Sequence, residues 1–201
     1  SYAAVALSLS MVQVAVPAQE PPGPATGLQK KSARVQTGVR DFAPGVRINW
    51  DKQAVEVESR VVLRQWPLEL LACSPQTREH ESILAVSARP FHVFQAMGLV
   101  GLEAGSPARY DEKLDRWFPA SGEPLDLRIQ WREDARDRAV APDAWMVERK
   151  TGKAPEALRW VFAGSLVREE GEFGADADGT VVCVVDFDSA LVGERVTFGS
   201  P

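Results

Sequence analysis

Period-two alternation of apolar and polar residues runs through much of the chain. Val46–Trp50 and Ala54–Leu63 alternate on either side of Asp51-Lys52-Gln53, which predicts an antiparallel hairpin with one wet face. Leu68–Cys73 predicts a third strand, and Leu125–Trp131 another with its leucines, isoleucine and tryptophan on one side. Ile83–Ser87 is apolar at successive positions, as in a central strand buried on both faces, although so short a run also suits a helix. Pro90 suits a first helical turn, and Phe91, Val93, Phe94, Met97 and Val100 follow at helical spacing. One principal buried helix is therefore predicted over about 89–101. Ala104–Pro124 reads as a long irregular connection, Arg132–Arg138 as a solvated hairpin tip, and Lys150–Lys153 as a turn. Asp178-Gly179, between Phe173 and the apolar Thr180–Val185, predicts a further hairpin turn. Roughly eight strands around one helix predict an α+β domain, mainly antiparallel.

The two ends of the pattern differ from the middle. Residues 1–18 are apolar and end in Val16-Pro17-Ala18, a small-residue exit of the kind a signal peptidase accepts. They read as a truncated signal-peptide-like segment, with a buried strand or helix as the alternative. Residues 19–40, beginning with the run through Glu20-Pro-Pro-Gly-Pro24, lack an apolar period and read as a flexible linker. That leaves 41–201 as one globular domain, exported to the periplasm or the cell surface, with no second apolar run near the roughly 20 residues of a membrane span.

Composition narrows the function classes. With 28 acidic against 23 basic side chains and a formal charge of -5, the chain has no broad cationic surface for nucleic acid. Its six tryptophans are scattered, which favours core or half-buried anchors over a stacking platform. The two cysteines, Cys73 and Cys183, are either buried free thiols or one bridge closing a loop of about 110 residues, for which chain entropy suggests about 4–5 kcal/mol.

The densest chemistry lies between Cys73 and Ser82, where Glu79, His80 and Glu81 join a thiol and a hydroxyl. Three readings stay open. Cys73, His80 and Glu81 could hold a transition metal, though thiolate and imidazole alone fall short of the usual three or four ligands. His80 could activate Cys73 as a nucleophile, and under either reading Asp111 or Glu112 could join the cluster from the long connection. Or the polar side chains serve only to order the loop. His80-Glu81 lacks the second histidine of a zinc-protease helix because Leu84 stands there, and Asp176 and Asp178 lack the further ligands of a calcium loop. His92 reads as a packed helix residue. No complete acid–base, nucleophile or metal set can be assembled. The expectation is a non-catalytic binding or accessory module, the alternative a metal-handling or thiol enzyme centred on Cys73 and His80.

Cys73 with His80-Glu81-Ser82-Ile-Leu84, the Pro90 helix, Gly101-Leu-Glu-Ala-Gly105, Trp145, Trp160–Ser165 and Ala175–Gly179 arrive in an order that resembles the YdjY-like domain family over about 52–195. The resemblance implies an exported bacterial domain without an assigned reaction, found in some proteins beside iron–sulfur ferredoxin modules. No such cluster is expected here, since two cysteines cannot supply four thiolates. Ala163 also stands where a threonine is expected ahead of Gly164-Ser165.

Overall fold

The computed structural model describes residues 5–10, 36–156 and 158–195. Its strands are β1 (Val5–Ser10), β2 (Val39–Ala43), β3 (Val46–Asn49), β4 (Ala54–Val61), β5 (Leu70–Cys73) and β6 (Ser82–Val86). After helix α1 (Pro90–Leu99) come β7 (Arg109–Asp111), β8 (Arg116–Phe118), β9 (Pro124–Glu133), β10 (Arg136–Val140) and β11 (Trp160–Phe162). The short helix α2 (Gly174–Asp178), β12 (Thr180–Cys183) and β13 (Val192–Glu194) complete the order.

This architecture corrects the α+β expectation: the fold is mainly β. A helix does form at Pro90, but it is ten residues long and packs against an eleven-stranded sheet. The sheet is mixed, because β5 runs parallel to β6 and β12 parallel to β13. Buried apolar runs such as Leu70–Cys73 and Ser82–Val86 carry no alternation that would announce parallel pairing. The long connection contains its own small hairpin of β7 and β8. A 3-10 turn over Pro142–Trp145 follows β10.

The Asp178-Gly179 hairpin is also corrected. Gly179 does take the positive φ that Asp-Gly favours, at 74°, but there it ends the single turn of α2. A left-handed residue serves a helix C-terminus as well as a hairpin, so the dipeptide alone does not distinguish them.

Strand pairing runs β1-β9-β11-β13-β12-β5-β6-β4 and returns to β1, so these strands form a closed circuit. β3 and β2 extend from β4, and β10 pairs with β9. β1 is the closing strand: it pairs antiparallel with β4 and β9 and sets Leu7 opposite both Val57 and Ile129. Of the signal-like segment, residues 1–4 and 11–18 lie outside the described residues, as does most of the linker, while β2 begins at Val39.

The main core joins Val46, Ile48, Val55 and Val57 to Leu84, Val93, Met97, Leu127, Ile129 and Phe162. A smaller cluster holds Leu70, Cys73, Ala85, Cys183 and Ala190. Among the described residues no helix is long and apolar enough to cross a membrane.

Candidate functional site

The loop between β5 and β6 carries the residues singled out in the sequence. Leaving β5, the chain is held by the Ser74 N–H on the Gly179 carbonyl at 3.0 Å and the Thr77 hydroxyl on the Ser74 carbonyl at 2.7 Å. The Glu79 carboxylate accepts from Arg60 at 2.6 Å and from the Gln76 N–H at 3.0 Å. Glu81 accepts from Arg78 at 2.7 Å, and the Arg78 guanidinium lies 4.7 Å from the centre of the Phe187 ring. These partners tie the 3-10 turn Glu79–Glu81 to β4 and to the connection after β12. The carboxylates of the loop are thus paired within it or with β4, while the buried Ser74 hydroxyl has no hydrogen-bond partner among the described residues.

Cys73 and Ser82 lie on the inner side of this loop, and His80 lies on the outer side. Cys73 is fully buried, and burial pushes its thiol pKa up against the opposing hydrogen bonds from Ser82, the Arg78 backbone and Thr77. A reactive cysteine needs the opposite shift, so Cys73 stays protonated where a nucleophile or metal ligand is a thiolate. Ser82 is buried and donates to the Leu84 carbonyl at 2.9 Å. The His80 side chain is 74% exposed, and its nearest charged partner is Glu81 at 3.7 Å. Asp111 accepts from the N–H groups of Lys113 and Leu114 at 3.0 and 3.2 Å, closing its own hairpin. Among the described residues no three His, Cys, Asp or Glu side chains gather into a possible metal site. Cys183 is buried as well, its thiol pushed up by the same desolvation, and both cysteines are free.

A second site was not apparent in the sequence. An open cleft of about 1310 Å³ lies where the C-terminal ends of β4, β9 and β12 meet the start of β6. Trp66, Trp131 and Trp145 line it, together with Leu63, Ile83 and Leu158. The Trp131 and Trp145 rings are 5.5 Å apart at 52°, an aromatic contact that holds one wall in place. Trp66 is 69% exposed and Val147 is 70% exposed. Large side chains left in water around one concavity mark a binding surface more often than chance exposure does. Read singly, the three tryptophans are indistinguishable from anchors. Trp66-Pro67, just past the end of an alternating strand, is the only local hint that one of them faces out.

The other motif residues hold elements together. Asp176 accepts the Phe91 N–H at 2.8 Å and Arg89 at 2.5 Å, so it serves the N-terminus of α1. Asp178 accepts from Arg168 at 2.6 Å. Ser165 accepts the Ala175 N–H and donates to the Ser189 carbonyl, both at 2.9 Å. Ala163 is buried, with Ala108, Ala120 and Val161.

The profile of the YdjY domain matches residues 46–198. The chain belongs to the YdjY domain family. No curated protein and no solved structure matches it. In this YdjY domain the matched region starts at β3 and includes both the Cys73–Ser82 loop and the tryptophan cleft, so each belongs to the family domain and not to an appended segment.

Proposed function

We propose that this YdjY domain is an exported, periplasmic or cell-surface, binding module without catalysis of its own, and that its ligand occupies the cleft of Trp66, Trp131 and Trp145. The observation that carries the reading is the cleft: wide, predominantly apolar, and walled by side chains that a domain with no ligand would gain by burying. Export rests on the apolar stretch ending in Val16-Pro17-Ala18. Thiol or metal chemistry centred on Cys73 and His80 gains no support from a buried, protonated thiol and an imidazole turned to water.

The test is a titration with the neutral dye Nile red. Saturable emission enhancement is expected for the full chain, weakened several-fold in Trp66→Ala and in Trp145→Ala, each aromatic contact contributing about 1 kcal/mol. Absence of saturation, or variants that bind like the wild type, would remove the cleft as the binding surface. Fractionation of cells expressing the chain behind its own start reports on export separately.

A further inference from the structure

Charge distribution around the cleft narrows the ligand further. Four of its lining residues are strongly polar: Arg64, Gln65, Glu148 and Arg149. Glu148 accepts the Thr151 hydroxyl at 2.9 Å and is engaged in its own turn. Arg64 and Arg149 have no hydrogen bond or ion pair among the described residues. They reach the cleft from two separate connections, one after β4 and one after the 3-10 turn Pro142–Trp145. In a chain of net charge -5, where Arg47, Arg60, Arg89 and Arg168 are each paired to a carboxylate, the two unpartnered guanidinium groups stand beside one apolar concavity against the single carboxylate of Glu148 and give it a local excess of positive charge. Guanidinium is the side chain suited to bidentate recognition of a carboxylate.

Between those charges the walls are aromatic and aliphatic. Among the described residues lining the cleft, Gln65 and the indole N–H groups are the uncharged side chains that can hydrogen-bond, which is too few to orient a sugar or a peptide backbone. An occupant must therefore be apolar along its length and anionic at one end. The volume exceeds the roughly 300–1,000 Å³ that buries most of a small ligand.

We infer that the cleft binds a free long-chain carboxylate, with the alkyl chain against Trp66, Trp131 and Trp145 and the head held by Arg64 and Arg149. The inference rests on the cleft being the binding surface and adds the chemical class of what fills it.

Binding is measured by tryptophan fluorescence on the full chain, below the critical micelle concentrations, with laurate, neutral monolaurin and dodecyltrimethylammonium. Laurate is expected to bind tightest, and Arg64→Gln/Arg149→Gln to weaken it roughly tenfold, the loss of two charge-assisted contacts at a solvated rim, while leaving monolaurin unchanged. Far-ultraviolet dichroism checks that the double variant is folded. If monolaurin or the ammonium amphiphile binds as tightly as laurate, or the double variant keeps its preference for laurate, the carboxylate assignment is overturned while the cleft remains a binding surface. If anionic phospholipid vesicles bind and monomeric laurate does not, the free carboxylate is the wrong source. If none of the three amphiphiles changes the fluorescence, both readings fall.

Discussion

The Asp176 carboxylate caps the helix that begins at Pro90, accepting the Phe91 N–H at 2.8 Å from a position 85 residues away. Arg89, the residue before the helix, offers no side-chain oxygen to its orphan N–H groups, and Asp176 both supplies the acceptor and pairs with the Arg89 guanidinium. Phe91, Phe94 and Phe173 pack at the same junction, with ring centres 5.4–6.1 Å apart. Asp176→Ala is therefore expected to lower unfolding free energy by about 1–2 kcal/mol. Asp176→Asn, which keeps one acceptor, should lose less, and urea denaturation of the two variants checks the order.

The Cys73–Ser82 loop separates structural from exposed side chains. Glu79→Ala removes the partner of both Arg60 and the Gln76 N–H, with an expected cost of about 1 kcal/mol at this partly exposed site. His80→Ala should leave the midpoint unchanged. An early-melting His80→Ala protein would show that the imidazole supports the loop in a way its exposure conceals.

Neither cysteine should react with a thiol reagent in the folded chain. Both thiols are buried and pushed upward in pKa, so the thiolate that attacks the reagent is scarce and out of reach. Denaturant should release two equivalents, and labelling of Cys73 under native conditions would contradict its burial.

Closure of the sheet depends on β1, whose backbone pairs with β4 on one edge and β9 on the other, so Leu7→Pro removes a ladder donor between Val57 and Ile129. A loss on the order of 2 kcal/mol or more is expected from thermal melts of the full chain. Processing after Ala18 would remove the same strand and leave β4 and β9 with unpaired edges. The processed chain is then expected to melt lower or self-associate, as light scattering would show.

Asp186 contributes to the pH dependence, as does Glu194, whose carboxyl is also pushed up by burial. Burial holds the Asp186 carboxyl above the ordinary value, so the folded chain resists its ionisation. Its contribution is fully present below the unfolded carboxyl range and is lost as pH rises through the raised folded value. Asp186→Asn should melt with the wild type in acid and above it at neutral pH, and calorimetry across that range tests the sign.

Alternation and spacing by themselves determined the β3–β4 hairpin, the half-buried face of β9 and the helix starting at Pro90, because each reflects a period that a residue shares with its neighbours a few positions away. The same reading found the order of motifs that marks the family. What only the tertiary structure decided was how distant segments meet. It made the sheet mixed and closed, and so the fold mainly β. It turned His80 away from Cys73, although seven positions is well within a loop's reach. It brought Trp66, Trp131 and Trp145 to one cleft with Arg64 and Arg149. No local period encodes such meetings, since they depend on which strand edges pair and on how the core packs once long loops have closed.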